Sequence, residues 1–193
     1  EPTDVVIGFE RGVPVSVDGE RLGMAAIIAK LNALVGSYGW GRIDMVENRR
    51  VGIKSRETYE CPAALALIMA HRDLESICLE RDLEREKARF EPRYAELIYD
   101  GLWFSPLKKS LDAFIDASQE FVTGEVRLRL EPNSCQVTGR RSDHSLYDYE
   151  LATYDAEDQF RHEDSAGFVR LWGLSVQTWA ARQGTKSADG LSS

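Results

Sequence analysis

The sequence predicts an α+β domain: a mixed, largely antiparallel sheet with packed helices, followed by a helical arm near the C-terminus. Segments in which apolar residues alternate with period two stand beside segments with helical periodicity, but without the regular rhythm of βαβ units. Of the 193 residues, 43% are hydrophobic and 29% are charged. This composition supplies enough apolar side chains for a core and excludes a wholly disordered chain.

The first elements are two strands and a helix. Apolar residues alternate over residues 5–9 and again over 13–17, and the turn-forming pair Asp18-Gly19 follows directly. Over residues 24–35 the apolar residues fall on one helical face, and Gly36 is expected to end that helix.

The middle of the chain predicts two further strands and two helices. Residues 43–46 predict one strand and residues 51–53 the other. Pro62 suits the first turn of a helix, whose residues 63–70 are apolar all round and are expected to be buried on every side. Residues 80–89 are densely charged and predict a solvated helical face. Opposite charges stand three residues apart at Asp82/Arg85, Glu84/Lys87 and Glu86/Arg89.

The last third predicts a capped helix, a hairpin and a final helix. Ser105-Pro106 is a helix start with a capping oxygen. That helix is expected to end at Gly124 and to bury Leu107, Leu111, Phe114, Ile115, Phe121 and Val122. Alternation over residues 126–130, a Pro-Asn turn and a return over 135–138 predict the hairpin. The final helical pattern contains Phe168, Leu171, Trp172, Val176 and Trp179.

The charge and the chain ends limit the classes of function. With 32 acidic and 24 basic residues the formal net charge is −8, which repels phosphate backbones, so no nucleic-acid partner is expected. No apolar run approaches the roughly 18 residues of a membrane span, and residues 1–4 do not begin a signal peptide. The chain begins with Glu1 rather than Met, which suggests a processed or excised piece.

Cysteines and histidines are dispersed, which predicts reduced thiols, a cytoplasmic location and no metal site. The three cysteines form no C-x-x-C pair, and the three histidines are equally scattered. These residues are Cys61, Cys78, Cys135, His71, His144 and His162. A P-loop, a dinucleotide-binding G-x-G-x-x-G and a nucleophile elbow are all absent from the sequence, so no catalytic residue is assigned.

Polar side chains at predicted strand ends form the candidate site. Glu47 lies where a strand leaves its apolar stretch, and Tyr59 follows a basic turn. A carboxylate and a phenol hydroxyl at such a rim can hold the polar groups of an amino-acid ligand. In the alternative interpretation, Glu47 pairs with Arg49 or Arg56 and Tyr59 packs on the sheet.

Several ordered blocks resemble the argininosuccinate synthase family. The first is GRIDMVENR at residues 41–49, continued by VGIKSR at 51–56 and YE at 59–60. The others are AHRDLE at 70–75, YAELIYDGLWFSP at 94–106, GRRS at 139–142 with SLY at 145–147, and SAGF at 165–168. The likeness covers residues 5–183, nearly the whole chain.

The resemblance implies the C-terminal part of a ligase of arginine biosynthesis. The family enzyme joins citrulline and aspartate with MgATP through a citrullyl-adenylate. Its ATP loop, S-G-G-x-D-T-S, does not occur here. ATP and Mg²⁺ are therefore expected to bind mainly to a separate N-terminal domain, and this chain alone is expected to be inactive. Glu47 and Tyr59 match the family's two citrulline contacts in this domain.

The resemblance also implies a division of the chain. Residues 1–164 correspond to the synthetase domain, residues 165–183 to an oligomerisation helix of a homotetramer, and residues 184–193 to a tail expected to be disordered. Trp172 and Trp179 suit a subunit contact, although both could instead pack on their own domain.

Three positions depart from the family pattern. Glu57 stands where the family usually has Gly, Cys61 where it often has Thr or Ala, and Ala64 where it often has Gly. Loss of a flexible Gly puts the turn geometry near Tyr59 in question. The alternative functions are accordingly a diverged paralogue and a self-associating module that keeps the fold without the ligase chemistry.

Overall fold

The structure is a computed structural model that describes residues 1–149 and 162–184. The chain divides after Tyr147 into two units. The first contains strands β1 (Thr3–Glu10), β2 (Val13–Val17), β3 (Glu20–Arg21), β4 (Arg42–Asn48), β5 (Lys54–Glu60), β6 (Gly124–Glu131) and β7 (Ser134–Arg141). Its helices are α1 (Met24–Ser37), α2 (Pro62–Cys78), α3 (Arg81–Tyr99) and α4 (Pro106–Ser118). The second unit contains α5 (His162–Trp172) and α6 (Leu174–Gln183).

The strands form a five-stranded sheet and a separate two-stranded ribbon. The sheet has the order β3-β2-β1-β6-β7, the ribbon pairs β4 with β5, and every pairing among the described residues is antiparallel. The pairing of β1 with β6 joins the first residues of the chain to residues 124–130. The predicted α+β class is therefore confirmed.

The core lies between the five-stranded sheet and helices α1 and α2. Inward-facing residues of β1, β2 and β6 meet the buried faces of the two helices; they include Val5, Ile7, Val17, Val126, Leu128 and Leu130 from the strands, and Ile27, Leu31, Val35, Ala66, Ala70 and Leu74 from the helices. Burial of each large aliphatic side chain contributes about 1.5–3 kcal/mol. The period-two and period-3.6 patterns thus mark most of the core, although Val13 and Ile28 are exposed.

The turns and caps follow the predicted local chemistry. Asp18 and Gly19 both have positive φ, 53° and 80°, as a two-residue hairpin turn requires. Ser105 caps α4, since its Oγ accepts a hydrogen bond from the Lys108 amide at 3.2 Å. Pro62 begins α2 as expected.

Two predictions of strand and helix extent are wrong. Residues 51–53 are not a strand but the loop of the β4–β5 hairpin, because Gly52 has φ 86° and donates its amide to the Arg49 carbonyl at 2.9 Å. The helix that starts at Ser105-Pro106 is predicted to extend to Gly124 but ends at Ser118, and Leu107 and Phe121 are exposed. Val122 lies in the loop that precedes β6 and is nevertheless buried.

Two predictions of burial are also wrong. Residues 63–70 are buried on one face of α2 only, because the helix packs on the sheet and α1 from one side; Ile68 is 49% exposed. Lys87 is not part of a solvated face. It is buried and pairs with Glu75 and Glu91 rather than with Glu84, because α2 brings the Glu75 carboxylate to it.

The described part of the second unit, residues 162–184, contains two helices instead of one continuous helix. The helical pattern breaks at Gly173, between α5 and α6. Phe168 and Trp172 stack with their ring centroids 5.5 Å apart. The large apolar side chains of both helices are exposed among the described residues. Of the predicted tail, only Gly184 falls within the described residues.

Candidate functional site

The β4–β5 ribbon places the predicted residues Glu47 and Tyr59 on one face. In its antiparallel register Glu47 lies opposite Ser55, and Ile43 lies opposite Tyr59. Residues directly opposite each other point to the same side of a ribbon, and successive pairs on that side are two residues apart. Glu47, Ser55 and Tyr59 therefore share a face, together with Glu57, which lies opposite Met45.

The other face of the ribbon carries separate polar pairs. They are Arg42 with Glu60 at 3.0 Å, Arg56 with Asp44, and Lys54 with Asn48 at 2.5 Å. The interpretation that pairs Glu47 with Arg56 is therefore wrong, because alternation puts them on opposite sides. In each of these exposed pairs the two side chains bind each other, so none of them contacts Glu47 on the opposite face.

The Glu47 carboxylate is held by three neighbours through a single oxygen. Its Oε1 accepts hydrogen bonds from the Tyr59 hydroxyl at 3.3 Å and the Ser55 hydroxyl at 3.4 Å, and the Arg49 guanidinium lies 3.4 Å away. The Glu47 side chain is only 13% exposed. Among the described residues no side chain donates to Oε2, so this oxygen can accept a hydrogen bond from a ligand.

Tyr59 does not simply pack on the sheet. Its side chain is half-exposed, and its hydroxyl donates to Glu47. Partial desolvation, together with the charge and hydrogen bond of Glu47, raises the pKa of the Tyr59 hydroxyl above its ordinary value of 10.0. The phenol thus stays protonated near neutral pH and remains able to donate a hydrogen bond.

Arg49 and Glu57 complete the face and were not identified as site residues from the sequence. The Arg49 guanidinium donates to Glu57 Oε1 at 2.6 Å and to the Ser55 hydroxyl at 2.8 Å. The hydrogen bond and charge of Glu57, followed by the charge of Glu47, raise the pKa of Arg49 above its ordinary value. The period-two spacing of residues 55, 57 and 59 is the available signal, but the apolar residues 51 and 53 favour a strand at 51–53 instead.

Replacement of the usual Gly by Glu at position 57 introduces no backbone strain. Residues 54–60 form one continuous strand, and Glu57 is not among the described non-glycine residues with positive φ. The turn before Tyr59 is formed instead at Gly52. Cys61 is the residue before α2, and Ala64 is exposed in its first turn.

A groove of about 650 Å³ runs between β4 and α3 and has Glu47 in its wall. Its lining includes Arg49 from the hairpin and Glu96, Tyr99 and Asp100 from the end of α3. An ion pair between Arg50 and Asp100 joins the hairpin to that end of α3 at 2.5 Å. The volume is in the range of small-molecule sites.

The described residues do not show a site for a metal ion. Within residues 1–149 and 162–184, His, Cys, Asp and Glu side chains form no group of three or more that could hold one. No helix in this part of the chain is long and apolar enough to cross a membrane.

These features define an α+β domain with a polar, carboxylate-bearing ribbon face beside a groove. Residues 1–179 match the family model described as the arginosuccinate synthase C-terminal domain. The chain therefore belongs to the argininosuccinate synthase family and corresponds to its C-terminal domain.

Curated relatives agree with this assignment. The chain is 57% identical over 180 residues to the argininosuccinate synthase of a Picosynechococcus species, an alignment that covers 93% of the chain and 45% of that protein. It is 54% identical to the enzyme of Trichodesmium erythraeum, with 94% and 46% covered, and 55% identical to that of Rubrobacter xylanophilus, with 93% and 44% covered. The chain thus spans about half the length of the curated relatives that it matches.

Proposed function

We propose that this chain is the synthetase part of a ligase that joins citrulline and aspartate with ATP, giving argininosuccinate, AMP and pyrophosphate through a citrullyl-adenylate. The observation that carries the proposal is the pairing of Glu47 with Tyr59 on one ribbon face, 3.3 Å apart, in a chain that belongs to this family.

Glu47 and Tyr59 bind citrulline in this proposal. The Glu47 Oε2 atom accepts a hydrogen bond from the citrulline ammonium, a charge-assisted bond that contributes about 1.5–3 kcal/mol. The Tyr59 hydroxyl, whose hydrogen is donated to Glu47, provides a neutral acceptor beside it. The Ser55 hydroxyl donates to Oε1 and so orients the carboxylate.

The role of this chain is to position one substrate rather than to activate ATP. Its sequence lacks the ATP loop of the family, so we assign MgATP to another part of the protein. Aspartate and the remaining citrulline contacts are assigned there too. Orientation of the ureido oxygen toward the α-phosphorus of ATP needs both parts, so the chain alone is expected to be inactive.

Residues 165–183 are proposed to mediate assembly into a homotetramer. This proposal is supported by the exposure of Trp172 and Trp179, each more than half accessible, since aromatic anchors are typical of such interfaces. Residues 1–164 then form the synthetase domain. A cytoplasmic location is proposed because Cys61, Cys78 and Cys135 are all free thiols.

The test compares the product of the native gene with its Glu47→Gln and Tyr59→Phe variants. Citrulline- and aspartate-dependent release of pyrophosphate from ATP is measured, with the 193-residue chain assayed alongside. We expect activity in the native product, none in the chain alone, and a rise in citrulline KM of roughly tenfold or more for Glu47→Gln. An unchanged citrulline KM in both variants would refute the residue assignment, and no activity in the native product would refute the ligase itself.

A further inference from the structure

We propose that Glu57 sets the affinity of this site for the ammonium group of its ligand, by keeping the Arg49 guanidinium from neutralising Glu47. The inference rests on the proposed function, because it concerns the same binding face. It assigns an affinity-determining role to a residue that does not itself contact the ligand.

The distances show how Arg49 is divided between the two carboxylates. Its guanidinium lies 2.6 Å from Glu57 Oε1 but 3.4 Å from Glu47 Oε1. A separate donor, Nε, is fixed at 2.8 Å on the Ser55 hydroxyl. The close hydrogen-bonded pair is therefore Arg49–Glu57, and Glu47 keeps only a longer contact.

The charge of the face follows from this arrangement. Two carboxylates and one guanidinium leave a net charge of −1, and the neutral hydroxyls of Ser55 and Tyr59 do not change it. One excess negative charge suits one ammonium group. Without Glu57 the remaining pair, Glu47 and Arg49, would be neutral, and Arg49 would be free to close on Glu47 and compete with the ligand.

The location of Glu57 favours this role over that of an ordinary surface pair. Its side chain is 35% exposed and points to the same side of the ribbon as Glu47, which is 13% exposed. An equally simple pair on the same strand, Glu60 with Arg42 at 3.0 Å, lies on the opposite face with both side chains about 70% exposed. Glu60 therefore provides a matched control.

The experiment measures citrulline KM and kcat for the product of the native gene and for its Glu57→Gln and Glu60→Gln variants. Because the groups involved are partly exposed, we expect Glu57→Gln to raise the citrulline KM roughly two- to fivefold with kcat little changed. Glu60→Gln should leave the KM within experimental error. Inhibition by 5-ureidopentanoate, which lacks the α-amino group, should be equal in all three proteins.

A double variant distinguishes charge balance from a structural effect. Arg49→Met combined with Glu57→Gln again leaves Glu47 as the single charge of the face, so the citrulline KM should return toward the native value. The inference would be overturned by a citrulline KM for Glu57→Gln equal to that of Glu60→Gln. It would also be overturned if the citrulline KM of the double variant were higher than that of Glu57→Gln. If Glu47→Gln raises the citrulline KM while Glu57→Gln does not, only this inference fails. If neither variant raises it, the assignment of Glu47 as a citrulline contact fails as well, and no activity in the native product would refute the ligase itself.

Discussion

The buried Lys87 provides the sharpest test of how the groove wall is held in place. Its ammonium lies 3.0 Å from Glu75 Oε1 on α2 and also donates to Glu91 one turn further along α3. Glu75 receives a second hydrogen bond, at 2.7 Å, from the Gln119 amide. This cluster joins α2 to α3, the helix whose C-terminal end lines the groove beside Glu47.

Substitution Lys87→Met should destabilise the first unit strongly. Lys87 is 7% exposed and Glu75 is 5% exposed, so removal of the ammonium leaves a buried carboxylate whose remaining basic neighbour is the His71 imidazole, with Nδ1 3.7 Å from Oε2. Breaking a buried pair in this way costs about 3–5 kcal/mol. Since Gln119 still donates to Glu75, we expect a loss of unfolding free energy at the lower end of this range, about 3 kcal/mol. For a protein of this size, this loss corresponds to a fall in Tm of about 6–12 °C.

Urea unfolding followed by circular dichroism measures this loss, and two further variants control it. Lys30→Met removes an exposed pair with Glu20, at 2.8 Å, and should cost at most about 1 kcal/mol. Glu75→Gln added to Lys87→Met removes the uncompensated charge but keeps the acceptor for Gln119, and should recover most of the loss. A cost for Lys87→Met no greater than that for Lys30→Met would refute the reasoning.

The effect of Lys87→Met on stability should also depend on pH. Burial tends to raise the pKa of Glu91, but the Lys87 hydrogen bond and charge outweigh it and hold the pKa below its usual 4.5. A carboxyl with a depressed folded pKa stabilises the fold above its unfolded pKa, and this contribution is lost as the pH falls through the folded value. The stability difference between the native chain and Lys87→Met should therefore be constant near neutral pH and shrink below about pH 4.5.

Two further predictions concern the site and the second unit. In a spectrophotometric titration, with Tyr59→Phe as the subtraction control, Tyr59 should ionise above pH 10.0. Glu47→Gln should lower its pKa and Arg49→Met should raise it, because the carboxylate opposes ionisation and the guanidinium favours it; equal shifts in both variants would contradict the geometry. In sedimentation equilibrium, truncation of the native product before Ser165 should reduce the assembly to smaller species, whereas truncation after Gly184 should not. An unchanged mass for the first truncation would rule out the arm as the interface.

The local elements were predictable because their determinants are short-range. Alternation marked β1, β2 and β6, the Asp18-Gly19 pair marked a hairpin turn, and Ser105 marked the start of α4. Errors occurred where two signals compete. Val51 and Ile53 have high strand propensity, but Gly52 between them adopts a positive φ and makes the segment a loop.

The sequence by itself determined the α+β class, the family and the identities of Glu47 and Tyr59 as candidate ligand contacts. It could not determine their partners, because pairing depends on strand register and helix packing between residues far apart in the chain. Only the register of β4 with β5 placed Glu57 beside Arg49 and put Arg56 on the other face. Only the packing of α3 against α2 turned Lys87 from an expected surface charge into a buried one, since burial is decided by which surfaces meet and not by local periodicity.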